Sequence, residues 1–388
     1  MPFANRTQHL VPEGAYQVLA RANQLEAAGK EIIHLEIGQP DYPTFENVSQ
    51  AGIEAIRAGK TRYTPPAGIP SLREALAEDA GRRRGIEVHP EEVVVSPGGK
   101  PNLFFPTLAL VEPGDEVIYP NPGFPTYEAM IKVAGGVAVA VPLLEQNQFS
   151  FDLNAFDELV NERTKLIILN SPSNPTGGVI PPADLEHIAS QAEQFGCWVM
   201  SDELYTRIVY DGLEAMSIAS LPGMKEHTII VDGFSKTYSM TGWRLGFGIM
   251  SKELAARVDL LLTHSIGSTA HFTQFAGLEA ITGPQDMVEV MVSEYQRRRD
   301  AIVDGLNAIP GFTCQKPQGA FYVFPNITGT GMGSTELANL ILEKAGVALL
   351  PGNSFGEYGE GYLRLSYANS IENIEKGLDK IRTTIENI

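Results

Sequence analysis

The sequence predicts an α/β fold: a large domain with a mostly parallel central sheet flanked by helices, plus a smaller α+β domain drawn from both chain termini. Three observations carry this. Between residues 93 and 250, short apolar, β-branched runs alternate with segments whose apolar residues recur at helical spacing, and such alternation builds a sheet between helix layers. Two long helical patterns follow, near 252–282 and 286–308. The remainder mixes strands near 320–325, 347–350 and 362–366 with helices near 335–345 and 371–386, the pattern of a second, smaller unit. The expected division is 1–45 as the N-terminal part of the small domain, 46–285 as the large, ligand-binding domain and 286–388 as the C-terminal part of the small one.

Composition narrows the class. A chain of 388 residues can bury about three quarters of its unfolded surface. Its 43% hydrophobic and 20% charged residues are those of a globular protein. A formal charge of −18, from 29 basic and 47 acidic residues, weighs against nucleic acid or an anionic membrane as partner. The N-terminal residues lack the apolar core of a signal peptide, and no apolar run reaches membrane-spanning length, so a cytoplasmic protein is expected. Cys197 and Cys314 make neither a disulfide framework nor a metal set; both read as small buried hydrophobes, and no metal is expected.

In chain order, 15–29 is an amphipathic helix with Val18, Leu19, Ala22 and Leu25 at helical spacing, and 31–37 alternates into a strand that ends in the turn Gly38-Gln39-Pro40-Asp41. Helices are expected over 46–58 and 71–84, the second ending in Arg82-Arg83-Arg84, which reads as a solvated helix end. The strand 93–96 leads through Pro97-Gly98-Gly99-Lys100 into a helix. A strand, a glycine pair and a helix N-terminus make an anion site, because unpaired N–H groups point outward; Gly99 and Lys100 are therefore assigned to a phosphate. The strand 116–119 precedes the string Pro120 to Tyr127, which opens a helix and in which Phe124 reads, on its residues alone, as a core ring. A strand over 137–141 and a helix over 152–163 come next. The strand 165–170 runs into Ser171-Pro172-Ser173-Asn174-Pro175-Thr176-Gly177, where prolines hold the Asn174 amide rigidly. A helix near 183–195 precedes the strand 197–202. That strand carries Asp202 at its C-terminal end, with Tyr205 close behind; Asp202 reads either as a helix N-cap or as a carboxylate facing a ligand.

The densest signal follows the strand 228–231. Ser235-Lys236-Thr237-Tyr238-Ser239-Met240-Thr241-Gly242-Trp243-Arg244-Leu245-Gly246 places Lys236 in a loop past a strand end, where α/β sheets bind ligands. A lysine in a partly dry pocket loses its proton readily and can form a Schiff base with an aldehyde. Arg244, eight residues on, suits a phosphate. Gly242 and Gly246 let the chain approach a ligand closely. An aldehyde and a phosphate together describe pyridoxal 5'-phosphate; two exposed cations are the alternative reading of the pair alone.

The whole string, from Gly233 through Lys236 and Arg244 to Gly246, resembles the pyridoxal-phosphate attachment site of class I aminotransferases, the aspartate aminotransferase family of fold type I. The resemblance runs from Gly38 to Arg364 with the motifs in order. It implies that Lys236 carries the cofactor and then acts as general base and acid. Asp202 stands against the pyridinium nitrogen, keeping it protonated, and Phe124 lies on the pyridine face. Asn174 and Tyr205 meet the phenolic oxygen. Gly99, Lys100, Ser235 and Arg244 hold the phosphate, joined by Tyr63 from a neighbouring subunit. Substrate is held by the Gly38 backbone, Asn174 and Arg364, the last an arginine within the apolar strand 361–367 that needs a partner. On residues alone, Gly38 is a simple turn, Tyr63 a loop aromatic and Arg364 half of a structural salt bridge.

Two departures bear on chemistry. Many relatives carry a serine three residues before the lysine; here that position is Gly233, so the phosphate leans on Ser235, Arg244 and backbone groups. Vertebrate-type enzymes bring a second arginine to the distal carboxylate of an acidic substrate, and residues 264–271 contain none. A bacterial subgroup uses a lysine placed as Lys100 is, within Gly-Gly-Lys. The expected activity is ping-pong transamination between an L-amino acid and a 2-oxo acid. Aspartate and glutamate lead as donors, with aromatic or aliphatic side chains admitted beside Phe124, Tyr16 and Tyr63. A homodimer is implied. Rival readings are a carbon–sulfur β-lyase on the same cofactor, a non-enzymatic cofactor-binding sensor and a nicotinamide oxidoreductase. Gly329-Thr330-Gly331-Met332-Gly333-Ser334 is not a dinucleotide fingerprint, since its last glycine is missing.

Overall fold

The computed structural model describes residues 3–8 and 10–387. In chain order the first nine strands are β1 (Ile33–His34), β2 (Val93–Ser96), β3 (Glu116–Asn121), β4 (Val137–Leu144), β5 (Ser150–Phe151), β6 (Thr164–Asn170), β7 (Trp198–Asp202), β8 (Thr228–Gly233) and β9 (Gly246–Ile249). Eight of them form one sheet in the order β2-β9-β8-β7-β6-β3-β4-β5. Its middle, β8-β7-β6-β3-β4, is parallel, and β9 runs antiparallel to both β8 and β2. The central strands are buried throughout, as the unbroken run Leu166-Ile167-Ile168-Leu169 requires of a strand covered on both faces. Among the covering helices are Lys100–Leu110, Thr126–Ala134, Pro182–Phe195 and Lys252–Thr263. No helix of the described residues is long and apolar enough to cross a membrane. Cys197 and Cys314 are buried free thiols, as expected.

The C-terminal strands are β10 (Tyr322–Val323), β11 (Val347–Ala348), β12 (Leu350–Pro351) and β13 (Leu363–Ser366). The antiparallel set β10-β13-β12 carries Arg364 opposite Leu350. β1 pairs in parallel with β11, which joins the two ends of the chain.

Three expectations need correction. The strand over 31–37 reduces to β1. Beyond it Leu35 donates its N–H to Ala348 O (2.9 Å) and accepts from Ser366 N–H (2.8 Å), so the chain passes between two sheets and continues no single ladder. The pattern over 252–282 is two helices, Lys252–Thr263 and His271–Thr282. Between them the N–H groups of Ser265, Ile266 and Gly267 all point to Leu262 O, and Gly267 takes φ +81°, which ends the helix. The arginine cluster closing the helix Pro70–Arg84 is not a solvated end. Arg82 is exposed and pairs with Asp79, but Arg84 turns inward between Glu203 and Asp232, its side chain only 4% exposed. Smaller differences are a helix over Leu153–Leu159 in place of 152–163, N-capped by Asp152, and a π turn over Ile341–Ala345 that widens the end of the helix from Ser334.

Candidate active site

Parallel register puts the carboxyl ends of β6, β7 and β8 side by side, with Asn170 opposite Asp202 and Asp202 opposite Val231. The Asn170 side chain ties the first two together. Its Nδ2 donates to Asp202 O (3.1 Å), and its Oδ1 accepts from Asn174 N–H (2.9 Å), which anchors the Asn174 loop. Asp202 is buried; Tyr127 Oη donates to its Oδ2 (2.7 Å) and Leu204 N–H to its Oδ1 (3.3 Å). Burial pushes the Asp202 carboxyl up to about 6, against those two hydrogen bonds. The Leu204 contact is cap-like, yet a turn rather than a helix follows.

Past β8, Ser235 is buried and Lys236 partly so. Lys236 Nζ donates to Gly38 O (2.5 Å) and lies 5.8 Å from the centre of the Phe321 ring. Its amine is brought down to about 7, first by burial and then by the Arg364 and Arg244 charges. An amine neutral at physiological pH is a competent nucleophile and base. Gly38 has no room for a side chain, because a Cβ would strike the Tyr322 hydroxyl; this closeness brings its carbonyl to Lys236.

The glycine turn after β2 forms a cradle at the start of the helix Lys100–Leu110, with Gly99 at the cap position. Gly246 makes the turn possible: a Cβ there would lie 2.5 Å from Gly98 C and 2.6 Å from Gly99 N. Gly246 also faces Gly233 across β8 and β9, where a Cβ on Gly233 would sit 3.2 Å from Gly246 Cα. The glycine in place of a serine thus belongs to a tightly packed backbone layer. The Arg244 guanidinium lies against Gly98, and its Nη1 donates to Thr241 O (3.0 Å).

On the other side stands Arg364, 3% exposed. Its Nη2 donates to Glu36 O and its Nη1 to Asn174 Oδ1 (3.3 Å), while its buried Nε has no partner. The guanidinium sits over the Tyr322 ring (4.6 Å) and near Phe355 (5.2 Å). Its neighbours supply carbonyl, amide and aromatic groups but no paired carboxylate among the described residues, so the structural salt bridge is not what holds it. Tyr322 Oη also meets Tyr205 Oη at 2.8 Å, which links Tyr205 to the same cluster. At the rim Lys100 is exposed, its Nζ 5.2 Å over the Phe124 ring and ion-paired to Glu13. Phe124 in turn meets Tyr127 edge-on at 5.7 Å. The structure thus brings together Gly38, Asn174, Asp202, Tyr205, Lys236 and Arg364, with Gly99, Arg244, Lys100 and Phe124 around them. Tyr16 and Tyr63 stay apart, 64% and 97% exposed on this chain.

Sequence reasoning missed Tyr127, Tyr322, Phe355 and Glu13. Tyr127 had a usable signal, since it follows Phe124 by one helical turn and a buried tyrosine hydroxyl needs a partner. It also missed the buried ion cluster beneath the site. There Arg84 Nε donates to Glu203 (2.7 Å) and Nη2 to Asp232 (2.9 Å), while the Ser201 and Ser217 hydroxyls donate to Glu203.

This architecture is that of fold type I aminotransferases. The aspartate aminotransferase of Thermus thermophilus solved with maleate matches it with a TM-score of 0.95 and 38% identity, over 99% of this chain and 100% of that one. In sequence, the probable aspartate/prephenate aminotransferase of Aquifex aeolicus is 41% identical over 392 residues, 100% of this chain and 99% of that protein. The aspartate aminotransferase of Geobacillus stearothermophilus is 38% identical over the same coverage. The family described as aminotransferase class I and II matches residues 30–381. The chain belongs to this family of transaminases, and membership implies pyridoxal phosphate as the cofactor.

Proposed function

We propose that the residues gathered around Lys236 bind pyridoxal 5'-phosphate and transfer an amino group from an L-amino acid to a 2-oxo acid, with aspartate and glutamate preferred and aromatic or aliphatic donors tolerated. The observation that carries this is Lys236 itself: a partly buried amine held near 7, between a buried carboxylate on one side and a buried, partly unpaired arginine on the other. The donor set fits the cofactor. Lys236 suits its aldehyde, Asp202 its ring nitrogen, and the Gly99 turn with Lys100 N–H, Ser235 and Arg244 its phosphate; Tyr63 is taken to complete the phosphate site from a second copy in a cytoplasmic homodimer. Asn174 and Tyr205 would donate to its phenolic oxygen, and Phe124 would cover its face. The division at 1–45, 46–285 and 286–388 is retained as part of this reading.

When bound, pyridoxal phosphate supplies the electron sink for charge developing at the substrate Cα. Arg364 grips the α-carboxylate through its free Nε and its Nη groups and so orients the Cα–H toward Lys236. Lys236 Nζ takes that proton and returns it later as the ammonium form. Asp202, its Oδ2 held by Tyr127, keeps the ring nitrogen protonated. Phe124 and Phe355 exclude water from one wall. For the side chain, Lys100 offers a positive charge beside Phe124. Named relatives span both donor classes: the Thermus enzyme was solved with the dicarboxylate maleate, and an aromatic aminotransferase from Pyrococcus horikoshii is 37% identical with a TM-score of 0.90.

Borohydride reduction of the holoenzyme and peptide mapping should place the cofactor on Lys236, and a label on another lysine overturns the assignment. Lys100→Ala should lower the efficiency of aspartate and glutamate while sparing phenylalanine and alanine. An equal fall for all four would assign Lys100 to the phosphate or the fold and remove the acidic preference.

A further inference from the structure

The rim cation is not free. Lys100 Nζ is ion-paired to Glu13, 87 positions away in sequence. Glu13 immediately precedes the helix Gly14–Ala27. Gly14 presses on Ser354, where a Cβ would lie 2.6 Å from the hydroxyl oxygen. The next residue, Phe355, lies 5.2 Å from the Arg364 guanidinium, and its carbonyl accepts from Gly123 N–H (2.8 Å), beside Phe124. Glu13, Lys100, Phe124, Phe355 and Arg364 therefore form one continuous wall, from the rim down to the carboxylate-binding arginine. The rim charge is also felt within: Lys100 is among the cations that depress the Lys236 amine.

We propose that Glu13 is a specificity-determining residue: it occupies Lys100 as an internal substitute for the side-chain carboxylate of an acidic donor. This rests on the reading that Lys100 faces the donor side chain. An acidic donor must exchange its own carboxylate for that of Glu13. Lys100 keeps one anionic partner either way, so the exchange gains little for Lys100 and leaves a second carboxylate in the same space. Like charges at close range oppose each other. A neutral donor leaves the pair closed and meets only the Lys100 methylenes and the Phe124 ring. Both side chains are part-exposed, at 44% for Lys100 and 27% for Glu13, so water can solvate them when they separate. The pair thus lowers the premium on acidic side chains without forbidding them, and discrimination follows from the difference between the two states.

The test uses holoenzyme and the first half-reaction alone, in which the absorbance of the bound cofactor reports conversion by aspartate, glutamate, phenylalanine or alanine. Maleate binding, read by titration calorimetry, gives a measure independent of turnover. Glu13→Gln keeps size and polarity but removes the charge. The efficiency ratio of aspartate to phenylalanine should rise roughly three- to tenfold, and maleate should bind tighter by a similar factor, the scale of a part-exposed ion pair. In a Lys100→Ala background the same substitution should leave the ratio unmoved. An unchanged ratio with unchanged maleate affinity, or an equal change for all four donors, overturns the role of Glu13. If Glu13→Gln changes nothing while Lys100→Ala loses the preference for acidic donors, only this inference has failed. If Lys100→Ala lowers every donor alike, the acidic reading fails and this inference with it.

Discussion

The replacement Arg84→Met tests whether the site stands on a buried charge cluster. Arg84 is 4% exposed at its side chain, and its partners Glu203 and Asp232 are 3% and 7% exposed. Two charge-assisted hydrogen bonds, of 2.7 and 2.9 Å, bind it to them. Methionine fills much of the volume but leaves both carboxylates in a dry site with one cation at the edge, Arg83 at 3.4 Å from Asp232, and only neutral donors besides, the Ser201 and Ser217 hydroxyls to Glu203 and Gly233 N–H to Asp232. Removing one partner of a buried ion pair costs about 3–5 kcal/mol, because the remaining charge stays uncompensated. For a chain this long, at about 2 °C per kcal/mol, that is a fall of roughly 6–10 °C in melting temperature. Circular dichroism melts of variant and parent holoenzyme at one pH and protein concentration give the number. Arg82→Ala is the control: that side chain is 72% exposed and, among the described residues, pairs only with Asp79, so the change should stay within about 0.5 kcal/mol. A shift below about 2 °C for Arg84→Met, or a loss as large for Arg82→Ala, refutes the reasoning. Glu203 adjoins Asp202, and Asp232 lies four residues before Lys236, so the variant should also slow turnover of the molecules that remain folded.

Two further outcomes follow from the titrating groups. Asp202→Ala should retain a borohydride-reducible cofactor on Lys236 yet lose about a hundredfold or more in turnover, the usual scale for one electrostatic partner at a reacting group; near-normal turnover would reduce Asp202 to a structural residue. In the cofactor-free protein, the Lys236 amine near 7 lies below the value of about 10.4 for an unfolded lysine. Between those values the unfolded chain binds more protons than the folded one, so stability rises with pH across that window. Urea midpoints from pH 6.5 to 9.5 should therefore climb for the parent relative to Lys236→Met, and a constant difference between the two contradicts the depressed amine.

What was legible in the sequence was what local pattern controls. Continuous apolar runs such as 165–170 and 228–231 became parallel strands. Asn174 and Lys236 follow just past the carboxyl ends of these two, and Asp202 closes the strand between them, the end of a parallel sheet where a ligand is expected. What was not legible depended on partners distant in sequence. Nothing in Arg82-Arg83-Arg84 says which guanidinium turns inward; that choice is made by helix rotation and by carboxylates 119 and 148 positions away. The rim pair spans 87 positions, and each member reads locally as an ordinary surface charge. The false helix over 252–282 arose because apolar spacing continues through 264–270, while Gly267 breaks the backbone. The expected strand over 31–37 has the right extended conformation, but Leu35 divides its hydrogen bonds between β11 and β13.

The charges at the centre account for one property that no single motif contains. The chain is strongly acidic, at −18, yet Lys236 lies in the combined field of Arg364, Arg244 and Lys100. Those cations, together with burial, hold its amine near neutrality while Asp202 acts in the opposite direction. A carboxylate seated on Arg364 offsets part of that field, as does a phosphate beside Arg244. Each anion therefore raises the affinity of Lys236 for a proton. On the proposed assignment, the amine is least basic with the cations bare, which favours its use as a nucleophile, and more basic with a substrate carboxylate on Arg364, when it would take a proton from Cα.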